Sequence, residues 1–186
     1  MELSMYTKID VKNAYRVFTG GPLVTISTLS AEGTADIMTA AWSCPFDSDE
    51  LLLVLSTEHT TSENIRNGSK IVVALPSKEQ VNEALKAGSV HGRDVGDKFK
   101  AQSLESVESE LFKIPSLKNA LAYFEGECSD LNLFKDKGIC LLKVKNVYAR
   151  TDMWNAAEEN FNPGCFNTMH HVSGGIFASG ADLIKG

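Results

Sequence analysis

The 186-residue chain has no apolar run long enough to cross a bilayer, and its first ten residues, MELSMYTKID, lack both a basic start and an apolar core. The first absence excludes a helical membrane span and the second a secretory signal, so a cytoplasmic protein is expected. The cysteines are Cys44, Cys128, Cys140 and Cys165, with no C-x-x-C pair and no metal-like grouping. They read as free thiols packed as small hydrophobes. No G-x-G-x-x-G opens a helix, which leaves a dinucleotide fold unsupported. Gly175 and Gly180 have phosphate-loop spacing, but Ala181 and Asp182 follow where Lys and Ser or Thr are needed. There is no G-x-S-x-G elbow. Cys165, His170 and His171 lie close together without a fourth ligand, so no metal site is expected. Positive charge is in deficit: 18 Lys and Arg stand against 24 Asp and Glu, for a net charge of -6. Such a surface repels nucleic-acid phosphates. Any phosphate-bearing ligand must be held by local donors against the overall field.

What is present suits one compact domain spanning residues 1–186. Hydrophobic residues make up 43% of the chain and charged residues 23%, an ordinary globular composition. Residues 22–29, PLVTISTL, read as a strand rich in β-branched residues, followed by a turn at Ser30-Ala31-Glu32-Gly33 and a second strand over 34–42. Residues 51–56, LLLVLS, read as a strand buried on both faces. Thr60 and Glu63 fit a capping box, with Gly68 placed to end the helix. Ile71 to Leu75 read as a buried strand stopped by Pro76. Ser77 and Gln80 form a second capping box, opening a helix that ends at Gly88. A short helix is expected near 97–102 and a helical turn from Pro115 through Leu117, Leu121 and Phe124. Residues 126–134 and 138–150 read as strands, the second with a bulge near Asn146. The last 30 residues read mostly as loop. The pattern predicts a β-rich α+β fold, an antiparallel barrel with short helices packed outside it.

Three segments carry chemistry. In Asp36-Ile37-Met38-Thr39-Ala40-Ala41-Trp42, the small residues Thr39, Ala40 and Ala41 let a planar ligand approach the backbone, and Trp42 can cover a ring. In His59-Thr60-Thr61-Ser62, three hydroxyls sit at an expected helix start, a cradle for phosphate as much as a simple cap. The segment from Ser89 to Phe99 places Arg93 and Lys98 in a polar loop, where they either steer an anion or are merely solvated.

These segments, with Gly21-Pro22, I-V-V-A-L-P at 71–76, G-R-D-V-G-D-K-F at 92–99 and H-H-V-S-G-G-I-F at 170–177, resemble the flavin reductase-like family, the FMN-binding split barrels, and within it the flavoredoxin type. The resemblance covers nearly the whole chain. It implies a six-stranded antiparallel Greek-key split barrel, a homodimer, and FMN in a groove near the subunit interface. By the same resemblance Met38, Thr39, Ala40, Ala41 and Trp42 line the isoalloxazine. His59, Thr60, Thr61 and Asn64 take the phosphate, and His91, Gly92, Arg93 and Lys98 border the ribityl chain or phosphate. His170 and His171 lie near the flavin face, where a nicotinamide stacks. The chain departs from the family at Asp36, usually Asn, and at Ser48-Asp49-Glu50, where a Pro-Pro pair is usual. The function implied is an NAD(P)H-dependent flavin reductase, with hydride passing from nicotinamide to flavin N5. The alternatives are an electron-transfer flavoprotein reduced by a protein partner, or a non-catalytic flavin-binding module.

Overall fold

A computed structural model describes residues 21–162, 168–173 and 175–180. The N-terminal ten residues, Cys165, Ala181 and Asp182 lie outside the described residues. The first hairpin forms as the β-branched pattern requires. Strand β1 (Val24–Leu29) pairs antiparallel with β2 (Ala35–Ala40), in register from Val24 opposite Ala40 to Leu29 opposite Ala35. Ser30 closes the turn, its hydroxyl accepting the Glu32 and Thr34 N–H groups, both at 3.2 Å. β2 stops at Ala40, short of the expected Trp42. Ala41 and Trp42 then lead into β3 (Ser43–Asp47), a strand with no forecast in the sequence. Its residues from Cys44 to Asp47 are exposed, so it carries no apolar periodicity to detect.

β4 (Glu50–Val54), β5 (Ile71–Leu75), β8 (Ala122–Cys128) and β9 (Ile139–Ala149) complete a seven-stranded antiparallel sheet ordered β2-β1-β5-β8-β9-β4-β3. It curls into a half-barrel whose two ends in that order, β2 and β3, are consecutive in the chain. The strand count is one above the six that the family resemblance implies, because β3 adds an edge. β5 is central and wholly buried. β4 instead shows one buried face: Leu53 is buried while Leu52 and Val54 are only half-buried, because β4 lies next to the edge strand. The bulge falls where the phase of β9 shifts. Glu125 pairs with Asn146 and Gly126 with Val144, so Lys145 is the extra residue.

Short helices pack on the sheet. α1 (Thr60–Arg66) starts with His59 as its N-cap, so Thr60 is its first helical residue and the expected Thr60–Glu63 capping box does not form. The Thr60 oxygen serves a tertiary contact instead, accepting the Arg93 N–H at 3.0 Å. At the second capping box, the Gln80 side chain accepts the Ser77 N–H at 3.2 Å. A 3-10 turn at Lys78–Gln80 follows, then α2 (Val81–Ser89), which runs through Gly88. α3 (Gly92–Val95) and α4 (Lys98–Ala101) come next; Asp97 caps the latter by accepting the Lys100 N–H at 3.2 Å. Pro115 opens a strand rather than a helical turn: β7 (Pro115–Leu117) pairs with β6 (Ser106–Glu108). The strand expected over 126–134 ends at Cys128 and gives way to α5 (Leu131–Lys137). Asp130 turns the chain by accepting the Asn132 and Leu133 N–H groups at 3.0 and 2.9 Å. The described part of the C-terminal region is strand in places where loop was expected. It holds β10 (Trp154–Asn155) paired with β11 (Asn160–Phe161), and β12 (Met169–Ser173) paired with β13 (Ile176–Ser179).

The main core fills the sheet's concave face around Ile26, Leu53, Ile71, Phe134 and Leu142, each fully buried. Each such side chain contributes roughly 1.5–3 kcal/mol by leaving water. A second cluster joins Ile37 of β2 to Ala87 of α2 and Phe99 of α4. That cluster fixes the helices that wall the site described next.

Candidate functional site

A cavity of about 210 Å³ lies between β2, the start of α1 and the segment from the end of α2 to α4. Three pieces of backbone converge there for identifiable reasons. Thr39 of β2 donates its hydroxyl to the Ala84 carbonyl of α2. The Arg93 N–H reaches Thr60, and the Arg93 guanidinium donates to the Glu58 carbonyl. Gly92 packs against Asp36 so closely that a Cβ there would meet Asp36 Oδ1 at 2.3 Å. Only glycine allows α3 to sit at that distance.

The wall is polar. Thr60, Thr61 and Ser89 present hydroxyls, and His59, His91 and Lys98 present nitrogens. The rings of His59 and His91 meet edge to face with centroids 5.5 Å apart. Burial, then the neighbouring His91 and Lys98, hold the His59 imidazolium below the ordinary histidine range; Asp36 opposes that shift and Arg93 adds to it. Lys98 is itself buried at 3% exposure. Its Nζ donates to the Ala87 carbonyl at 2.7 Å and lies 3.9 Å from Asp36 Oδ1. Burial pushes the Lys98 ammonium down while Asp36 holds it up. Asp36, also 3% exposed, accepts the Thr61 hydroxyl on Oδ2, whereas its Oδ1 has no hydrogen-bond partner.

The structure therefore brings Met38, Thr39, His59, Thr60, Thr61, His91, Gly92 and Lys98 together around one cavity. Other residues singled out in the sequence sit elsewhere. Ala40 belongs to the main core, and Ala41 packs on the cluster of Leu23, Ala84 and Met169. Trp42 is 54% exposed at the outer surface of the β2–β3 corner. Asn64 is buried, its amide donating to Thr28 at 3.0 Å, so it acts inside the core rather than on the cavity wall. The Arg93 side chain is turned back onto Glu58. His170 and His171 lie on β12, away from the cavity wall. His170 Nε2 is 3.1 Å from the Thr168 hydroxyl, and the His171 ring packs on Phe177 with centroids 5.4 Å apart. The sequence reading did not single out Gly88 or Asp36 as wall residues, yet both line the cavity. Asp36 opens the D-I-M-T-A-A-W motif, but its burial beside Lys98 is a tertiary fact.

Among the described residues no group of three or more His, Cys, Asp or Glu side chains is placed to hold a metal ion. The donor set fits part of an FMN molecule. Hydroxyls, imidazoles and one ammonium suit a phosphate and a hydroxylated chain. The volume is below the roughly 300 Å³ at which sites for drug-sized ligands begin. A three-ring system would therefore extend beyond it.

The comparisons agree with this fold. An uncharacterized protein of Pyrococcus abyssi is 27% identical over 166 residues, 88% of this chain and 93% of that protein. The FMN-binding domain of a flavin reductases-like enzyme from Shewanella baltica superposes with a TM-score of 0.78 at 22% identity, covering 97% of this chain and 96% of that one. The flavoredoxin of Desulfovibrio vulgaris superposes with a TM-score of 0.79 at 16% identity, covering 97% of both chains. These likenesses establish the split-barrel fold. The sequence model of the flavin reductase like domain matches residues 16–165, and the chain belongs to that family.

Proposed function

We propose that this protein is an FMN-binding oxidoreductase of the NAD(P)H-dependent flavin reductase type. The family and its FMN-binding relatives support a flavin-binding redox role. The observation that carries the reading is the cavity itself, where hydroxyls, two histidines and Lys98 converge beside the small-residue end of β2. Bound FMN would supply the hydride-accepting chemistry, with a nicotinamide as the donor in this reading, while the protein would supply orientation and electrostatics. In this reading Thr60, His59, His91 and Lys98 hold the phosphate end. Met38 and Thr39, which line the same cavity, would border the ring system. The reading includes a homodimer: Trp42, Phe46 and Ile176 are large apolar side chains left exposed, and a second copy would cover them.

A second reading, an electron-transfer flavoprotein reduced by a protein partner, is favoured by one observation. His170 and His171 are engaged by Thr168 and Phe177 and do not line the cavity.

Spectroscopy separates the readings. The purified protein titrated with FMN should show oxidised-flavin bands and quenched flavin fluorescence, and anaerobic mixing with NADH or NADPH should bleach them. Bleaching by neither nucleotide, with flavin bound, transfers the assignment to the electron-transfer reading. Absence of flavin binding defeats both. Light scattering should report about twice the 20.2 kDa chain mass.

A further inference from the structure

The cavity contains a charge that a phosphate site does not need. Among the described residues that line it, Lys98 is the Lys or Arg and Asp36 is the carboxylate. Both are buried, with Nζ and Oδ1 3.9 Å apart. The two charges offset each other, so this ion pair offers little net attraction to a dianion. Asp36 is not needed to satisfy Lys98, which already donates to the Ala87 carbonyl. Nor is it fully satisfied itself, since Oδ1 has no hydrogen-bond partner. A buried acceptor without a donor is destabilising and calls for an explanation at the site where it occurs.

We infer that Asp36 is a specificity-determining residue that reduces the preference of the cavity for a phosphorylated flavin over its dephosphorylated form. This rests on the flavin-binding reading above. The carboxylate disfavours a phosphate in two ways: it offsets the Lys98 charge, and it repels the dianion across a short, poorly screened distance. It leaves the hydroxylated chain unaffected, because that chain carries no charge for the carboxylate to repel. FMN is then held loosely enough to exchange, and riboflavin is a competitive occupant.

The test is the ratio of FMN to riboflavin affinity, measured by fluorescence quenching at one pH and salt concentration. Asp36→Asn keeps the shape and an acceptor for the Thr61 hydroxyl but removes the charge. It should raise that ratio about tenfold, with FMN binding tightened and riboflavin binding unchanged. Asp36→Ser carries the same expectation if the amide disturbs folding, which circular dichroism and the melting temperature will show. A ratio unchanged or lowered in the folded variant overturns the inference while the flavin site stands. Failure of the wild-type protein to bind either flavin overturns the proposed function, and this inference with it.

Discussion

Glu125 of β8 accepts the Leu111 N–H on both carboxylate oxygens, at 3.2 and 3.0 Å. The same carboxylate takes the Glu110 and Phe112 N–H groups at 3.2 and 3.0 Å, so one buried side chain gathers three consecutive amides of the loop between β6 and β7. Glu125 is 1% exposed. Such a concave run of amides is a natural seat for an anion. Glu125→Gln retains the volume but loses the charge and one acceptor oxygen. It should lower unfolding stability by roughly 1.5–3 kcal/mol, read as a drop in the urea midpoint. An unchanged midpoint would show that the loop is held by its other contacts.

The hydroxyls of α1 are not equivalent. Thr61 donates to Asp36, so its proton is already committed. Thr60 accepts the Arg93 N–H, which leaves its own proton for a ligand. Thr60→Ala should therefore weaken FMN about tenfold or more, from the loss of one hydrogen bond to a charged group, and leave riboflavin nearly unchanged. Equal losses for the two ligands would place the phosphate elsewhere.

His59 gives a pH signature. Its folded-state pKa lies below the ordinary 6.5, mainly from burial. Proton uptake then favours the unfolded chain. The contribution of His59 to stability is complete above 6.5 and is lost as pH falls below that value. A phosphate held beside His59, as proposed, would favour the protonated ring. The rise in melting temperature caused by saturating FMN should thus be larger at pH 6 than at pH 8, while riboflavin gives the same rise at both. His59→Gln should remove the difference.

Cys128 and Cys140 form a thiol pair on adjacent strands. The neighbouring Cys140 thiol lowers the Cys128 pKa to about 7, while the pKa of the buried Cys140 thiol rises. In a protein carrying Cys44→Ser and Cys165→Ser, alkylation by iodoacetamide should reach half its limiting rate near pH 7. Cys140→Ala should move that midpoint up towards the ordinary thiol value of about 8.5. A midpoint already at the ordinary value with Cys140 intact would remove the pairing.

The parts of this architecture that were legible in the sequence are those where local pattern and tertiary environment agree. The β1–β2 hairpin, the buried β5 and the bulge at Lys145 all declare themselves in side-chain periodicity. β3 does not, because an edge strand with exposed residues from Cys44 to Asp47 has no buried face to mark it. α5 was hidden by its apolar content, which reads as a continuation of β8. Its boundaries were nevertheless present: Asp130 is its cap, and Gly138 supplies the left-handed residue at its end, with φ 69°. The cavity was readable in its motif residues, from Met38 through Thr60 to Lys98. Two things were not readable: the turning of Arg93 onto Glu58, and the burial of Asp36 against Lys98. Both depend on how α3 and α4 dock against β2, which no local spacing encodes.

The two ends of the sheet order, β2 and β3, are separated in the chain by Ala41 and Trp42 alone. The half-barrel thus has a seam, and a single dipeptide spans it. The Trp42 carbonyl, accepting the Val54 N–H at 2.9 Å, latches the dipeptide to β4. Ala41 and Trp42 continue the strand that carries Met38 and Thr39 into the cavity lining, so the seam of the sheet and one wall of the site share a single stretch of backbone.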